Sequence, residues 1–199
     1  VHDSDYTQQV LNFRLNHANK KGWLGKVQFG RSLDNSETFA DGVSDGKFDT
    51  TRFQLNGQLD WPVDGQHLLT VGSDYSMESV DSSVTYDIDE MSNLAVFLQW
   101  QGTHDVHNYV AGARVDDNEQ FGTHTTGSID YALDLTSRSR LNIGYGTAFK
   151  SPSFNDLYYP GYGTPTLDVE TSASLEIGLS GDSYGAHWSI RAFQTRIKD

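Results

Sequence analysis

The chain has 199 residues and a formal net charge of -13, and only 36% of its residues are apolar although 12% are aromatic. The negative charge argues against nucleic acid as a partner, because a phosphate-binding surface needs clustered Lys and Arg. Cysteine is absent, which excludes disulfides and thiolate metal sites, and no apolar run approaches the ~20 residues of a transmembrane helix.

Apolar and polar residues alternate along most of the chain, which is the period of a β-strand with two unlike faces. Phe53, Leu55 and Leu59, for example, alternate with polar residues such as Gln54 and Asn56. The pattern predicts an all-β, antiparallel up-and-down meander that forms part of a transmembrane β-barrel. The predicted strands lie near residues 6–17, 22–33, 49–61, 66–78, 93–101, 106–115, 124–135, 140–149, 172–180 and 186–197.

The predicted connections alternate in length. Short turns are expected at 18–21, 62–65, 102–105, 136–139 and 181–185, and long loops at 34–48, 79–92, 116–123 and 150–171. A meander with short turns on one rim and long loops on the other is the layout of an outer-membrane barrel.

The two rims also differ in composition. Sixteen of the 27 acidic residues fall within residues 34–49, 78–90, 116–119 and 156–170, which belong to the long-loop rim. Four tryptophans stand near short-turn ends, where an aromatic girdle meets the membrane interface: Trp23, Trp61, Trp100 and Trp188. Polar loops and Trp at strand ends also occur in soluble β-proteins, so the alternation of loop length is the stronger signal.

Five separated motifs carry a resemblance to a known family. They are residues 114–122 (RVDDNEQFG), 145–152 (YGTAFKSP), 156–159 (DLYY), 164–170 (TPTLDVE) and 176–178 (EIG). In order and spacing this stretch resembles the TonB-dependent outer-membrane transporters, and among them most closely those that take up cobalamin (vitamin B12). The motifs cover about a third of the chain, and the rest agrees in strand layout.

The resemblance implies a barrel of about 22 strands in the outer membrane of a Gram-negative bacterium, its interior filled by an amino-terminal plug. Residues 1–199 would then be a partial barrel domain of about ten strands, with plug and terminal strands absent. The implied partners are a corrinoid substrate, outer-membrane lipid, and an inner-membrane energy-transducing protein that acts through the missing plug. No cofactor is required, although calcium is a possible ligand.

The calcium expectation rests on the acidic stretch at residues 33–49. Calcium takes six to eight oxygen ligands, and the resemblance implies that Asp34 and Asp49 supply part of such a site. The stretch does not match the EF-hand spacing. A solvated acidic loop is the simpler interpretation, and the other ligands would come from a loop outside this chain.

The stretch at residues 150–171 is rich in aromatic residues. Rings with few rotatable bonds make good contact surfaces for a large ligand at low entropic cost. The alternative is that these rings pack on one another and on the barrel rim. The candidates for substrate contact are Phe154, Tyr158, Tyr159 and Tyr162.

Charged residues on the polar parity, such as Arg114 and Asp116, would face the barrel interior. They can pair with plug groups or with each other, and a pair within the wall is the favoured interpretation.

No catalytic residues are predicted, since neither a nucleophile elbow, nor a His-Glu-x-x-His helix, nor a phosphate-binding glycine loop is present. Two further interpretations remain: a siderophore or haem receptor with the same barrel, and a soluble all-β binding module. The chain on its own would have two open sheet edges, which favour self-association.

Overall fold

A computed structural model of the chain describes residues 2–20, 22–159 and 161–198; Lys21, in the first predicted turn, lies outside them. Ten antiparallel strands follow one another in a single sheet, each hydrogen-bonded to its neighbours in the chain. The strands are β1 His2–Ala18, β2 Leu24–Ala40, β3 Val43–Pro62, β4 His67–Ser82, β5 Glu90–His104, β6 His107–Asn118, β7 Gly122–Thr136, β8 Ser139–Lys150, β9 Glu170–Ser183 and β10 Ala186–Lys198, and one short helix, α1 Phe154–Tyr158, precedes β9.

The predicted fold class and all ten strands are confirmed, but the strands reach further toward the long-loop rim than predicted. The loop expected at 34–48 is wrong, because β2 and β3 form a tall hairpin that pairs up to Ala40 and Val43. Asp41 and Gly42 have φ values of 50° and 80°, and two successive residues with positive φ are typical of a type I′ hairpin turn. Residues 119–121 likewise form only a turn.

The sheet has two unlike faces, which we call the apolar face and the polar face. One row of the apolar face runs through directly opposed residues of the first five strands: Phe13, Phe29, Leu55, Tyr75 and Leu94. Because successive side chains of a strand point to opposite sides, the adjacent row belongs to the polar face. That row contains Arg14, Gln28, Asn56 and Asp74.

The apolar residues do not gather into a central core. Leu55 and Leu175 are 44% and 45% exposed, and Val71 and Ile143 are similarly open. These four side chains therefore do not form the sealed interior that a soluble all-β binding module would need. Among the described residues, no helix has the length and apolar character needed to span a bilayer.

The aromatic residues near the short turns lie on the apolar face. Trp61 and Trp100 both stand opposite Leu69, on either side of β4. The ring of His67 stacks on Trp100 at a centroid distance of 5.4 Å. The apolar face therefore ends in an aromatic band at the short-turn rim, where amphipathic rings meet a membrane interface.

Candidate functional site

Within the described residues, the longest connection on the rim opposite the short turns spans residues 151–159 and 161–169, which we call the strap. Its helix α1 starts at a capping box, in which the Ser153 hydroxyl accepts from the Asp156 backbone N–H and the Asp156 carboxylate accepts from the Ser153 backbone N–H at 2.9 Å. Such reciprocal bonds satisfy donors that a helix start leaves open. Hydrogen bonds from the Ser153 backbone and hydroxyl hold the pKa of the Asp156 carboxyl below its usual range.

The strap folds onto the polar face of the sheet. Phe154 is buried against Val80 and Tyr86, which belong to the end of β4 and to the loop after it. The Tyr86 hydroxyl donates to Asn155 Oδ1 at 3.0 Å, and burial together with the neighbouring Tyr159 raises the pKa of Tyr86. Three partly buried residues complete the contact: Phe48, Met91 and Tyr158.

The strap is closed on itself by backbone hydrogen bonds. The N–H of Gly163 donates to Tyr159 O at 2.7 Å, and that of Thr164 donates to Asp156 O at 2.8 Å. Leu157 is completely buried beneath this turn. A Cβ at Gly163 would lie 2.5 Å from Leu157 O, so only glycine allows the turn to close this tightly over the helix.

The four aromatic residues predicted to contact substrate fall into two pairs. Phe154 is covered, and Tyr158 packs against the same cluster while its hydroxyl accepts from the Gln120 side-chain amide. Tyr159 and Tyr162 are exposed, at 41% and 86%, with ring centroids 6.0 Å apart. The first pair positions the strap, and the second pair presents two rings to solvent.

A cleft of about 340 Å³ lies between the strap and the β2–β3 hairpin. Its walls combine hydroxyl, carboxylate, amide and aromatic groups, the mixture expected of a site for a polar ligand with flat apolar parts. Residues that line it include Ser36, Thr38, Asp45, Phe48, Asn155 and Tyr159.

The structure does not bring Asp34 and Asp49 together. Asp34 stands opposite Thr50, whereas Asp49 stands opposite Asn35; consecutive residues alternate between faces, so the two carboxylates lie on opposite sides of the sheet. Asp49 pairs with Lys47 Nζ at 2.8 Å. Within the described ranges no group of three or more Asp, Glu or His side chains is arranged to hold a metal ion. Calcium binding stays a prediction, but Asp34 and Asp49 do not coordinate the same ion.

Arg114 and Asp116 pair within the wall, as the sequence favoured. The Arg114 guanidinium of β6 donates to Asp116 at 2.8 and 2.9 Å and also reaches across β5 to contact Asp74 of β4 on the polar face. Asn56 and Asn93 donate to the same two carboxylates. Asp74, Tyr86 and Gln120 were not identified from sequence. Asp74 could have been identified from sequence, because it lies among the polar residues that alternate with apolar ones along β4.

These features agree with a family model. The description "TonB dependent receptor-like, beta-barrel" matches residues 1–199. The chain belongs to the TonB-dependent receptor family. Its members are receptors and transporters of the Gram-negative outer membrane rather than enzymes. In this family's barrel the apolar face meets membrane lipid and the polar face lines the interior.

Curated members of the TonB-dependent receptor family resemble the chain in sequence. It is 34% identical over 175 residues to a protein of Photobacterium profundum named vitamin B12 transporter BtuB, covering 84% of this chain and 28% of the relative. It is 29% identical over 198 residues to the protein of the same name from Vibrio vulnificus, covering 95% and 31%. The chain thus spans about three-tenths of the length of these relatives.

Solved TonB-dependent receptor structures share the fold. The siderophore receptor PirA from Pseudomonas aeruginosa superposes with a TM-score of 0.82 at 19% identity, over 96% of this chain and 39% of that one. The copper transporter OprC superposes with a TM-score of 0.74 at 16% identity, over 100% and 40%. At these identities the likeness concerns the fold alone.

Proposed function

We propose that this chain forms part of the wall and outer rim of an energy-coupled outer-membrane receptor that captures a cobalamin-type corrinoid. The observation that carries the proposal is the pair of exposed rings, Tyr159 and Tyr162, held over the polar face by the buried part of the strap. Two relatives named as vitamin B12 transporters support the corrinoid as the substrate class.

The proposed mechanism is capture followed by admission, without catalysis. Flat apolar surface on the rings suits the large face of a corrin, and the cleft beside Asn155 offers polar groups for its amide side chains. Release into the interior would depend on a plug domain and on an inner-membrane energy-transducing partner, both proposed from the family. Outer-membrane lipid would surround the apolar face.

A second candidate is a siderophore or haem receptor with the same barrel. The name of the PirA structure, a siderophore receptor, supports this candidate, but its 19% sequence identity to the chain shows only a shared fold. Competition binding on the complete receptor separates the two candidates. Cobalamin should displace labelled cobalamin, whereas a ferric chelate or haem should not; the reverse pattern would favour the second candidate.

The test within the site uses substitutions of the exposed rings. Tyr159→Ala and Tyr162→Ala should each weaken equilibrium binding of cyanocobalamin to the complete receptor about tenfold, since stacking and contact area are lost. Tyr184→Ala is the matched control, because this fully exposed tyrosine lies in the turn between β9 and β10 on the opposite rim. Equal affinity of all three variants and the parent would remove these residues from the proposal.

A further inference from the structure

The hydrogen-bonded ladder between β7 and β8 stops early. It runs from Thr136 opposite Ser139 up to Ser128 opposite Gly146 and ends there. Residues 122–127 of β7 remain paired with β6, and residues 147–150 of β8 remain paired with β9. Within the described residues this is the one junction at which both strands continue past their last paired residues. We call this parted stretch the seam.

Side chains occupy the seam where the next backbone pairs would be. The Thr147 hydroxyl accepts a hydrogen bond from the Gly127 N–H at 3.0 Å and donates one to Gly127 O at 3.4 Å. Further up, the rings of His124 and Phe149 stack at 4.6 Å. A hydroxyl and a ring pair are weaker and less cooperative links than a continuous ladder.

The surroundings of the seam tolerate unpaired backbone groups. At this height β7 directs Thr123 and Thr125 to the apolar face, whereas lower down it directs Ile129 and Tyr131 there. Unsatisfied amides cost several kcal/mol in hydrocarbon but are solvated by water near the outer surface. The seam therefore lies where parting of the two strands costs least.

The strap begins at the upper end of the seam. It leaves β8 after Lys150, and α1 docks on Val80, Tyr86 and Met91, which belong to β4, β5 and the loop between them. The strap thus bridges from one side of the seam to the other across the polar face. The Gln120 contact to Tyr158 adds a link to the turn between β6 and β7.

We propose that the seam is a hinge: the outer end of β8 moves together with the strap, and docking of α1 on the polar face keeps the seam narrow. Undocking frees Phe149 from His124 and lets β8 separate from β7 down to Gly127. The movement deepens the proposed function, because the strap carries Tyr159 and Tyr162. Contact with substrate at those rings would then bias the width of the seam.

Amide hydrogen exchange at single-residue resolution on the complete receptor, without substrate, tests the hinge. Asp134 N donates toward β6 and Gly127 N donates toward β8, so even-numbered amides of β7 face β6 and odd-numbered ones face the seam. Thr125 and Phe149 should exchange at least tenfold faster than their neighbours His124 and Ala148, which have ladder partners on β6 and β9. Equal protection of neighbouring amides would show that β7 and β8 are paired along this stretch, which would contradict the seam.

Coupling to the strap is tested by a matched pair of variants. Phe154→Ala removes the buried anchor and should raise exchange at Gly127, whose amide is held by the Thr147 hydroxyl, at least tenfold, while Tyr162→Ala, on the exposed side of the strap, should leave it unchanged. Tyr86→Phe deletes only the hydroxyl contact to Asn155. It should raise exchange at the same amide by a smaller factor, and it decides the question if Phe154→Ala does not fold.

Unchanged exchange at Gly127 in the anchor variants would overturn the hinge. Because no substrate is present, this result is independent of corrinoid binding. A receptor that binds no cobalamin yet shows the alternating exchange and the response to Phe154→Ala would refute the proposed function and keep the hinge. The opposite combination would refute the hinge alone.

Discussion

Phe97 lies over Gly72 on the polar face, in directly opposed positions of β5 and β4. A Cβ at Gly72 would meet the Phe97 ring and would lie 2.7 Å from Gly57 O. An aromatic ring placed over a strand glycine covers backbone that would otherwise lack side-chain packing. The Phe97 ring and the backbone of β3 therefore leave no room for a side chain at position 72.

Gly72→Ala should lower the free energy of unfolding of the complete receptor by about 1–3 kcal/mol, since the added methyl group forces the ring or the backbone to move. Thermal or denaturant unfolding in detergent measures the change. Gly65→Ala is the matched control, because a Cβ at Gly65, in the turn between β3 and β4, meets no atom within 4 Å. Comparable stability of the two variants would show that Phe97 does not require glycine beneath it.

Arg114→Gln should destabilise the receptor by about 2 kcal/mol, because it leaves the buried carboxylate of Asp116 without its cation. Arg140→Gln is the control: Arg140 pairs with Asp134 at 2.6 Å, but both side chains are substantially exposed, and such pairs contribute about 0–1 kcal/mol. Denaturant unfolding compares the two. A smaller loss for Arg114→Gln than for Arg140→Gln would contradict a stabilising role for the wall network.

The docking of the strap should weaken in acid. The folded pKa of Asp156 is lowered, so its ionised form adds stability above the ordinary carboxyl value of ~4, and this contribution is lost as pH falls through the folded pKa. Exchange of the Leu157 amide, which donates to Ser153 O at 3.2 Å, reports the change. After correction for intrinsic exchange it should be constant from neutral pH to about 5 and rise below about 4.

Asp156→Asn should remove this pH dependence and leave the Leu157 amide less protected at neutral pH. Asp168→Asn is the control, because that carboxylate lies in the same strap and, of the residues that the structure describes, accepts from the adjacent Val169 N–H. A parent-like acid response in Asp156→Asn would assign the effect to another group.

The 199-residue chain by itself should self-associate or require detergent. In the described sheet β1 and β10 each pair on one side only, and β1 exposes apolar side chains such as Leu11 and Phe13. Open edges of this kind recruit further strands. Val10→Pro, which removes an amide from β1, should reduce association measured by sedimentation. A compact monomer in plain buffer would contradict this prediction.

The fold was predictable where one face is apolar. Leu55, Val71 and Ile143 belong to a two-residue period of apolar side chains, and a one-residue slip in strand register would move these side chains to the polar face. Toward the outer rim both faces are polar, as at the consecutive residues Ser36 and Glu37, so the period disappears and the strands were predicted too short. The Asp41–Gly42 turn carried a local hairpin signal that the prediction of a loop overlooked.

The site was only partly predictable, for a different reason. Aromatic composition indicates that residues 150–171 carry rings for contact, but it does not distinguish Phe154 from Tyr162. That distinction depends on Val80 and Tyr86, which are remote in sequence. The seam was likewise not predictable, since residues 122–127 of β7 include no apolar side chain whose period could report the pairing with β8, and only the relative placement of the two strands separates them.

The charges of the polar face are largely matched within the wall itself: Lys26 with Asp60, Arg52 with Glu78, Arg114 with two aspartates and Arg140 with Asp134. Anything that moves along this surface therefore encounters amides and hydroxyls more than free ions. Displacement of such an occupant breaks neutral hydrogen bonds that water replaces at once, so the force needed to move it should depend little on ionic strength.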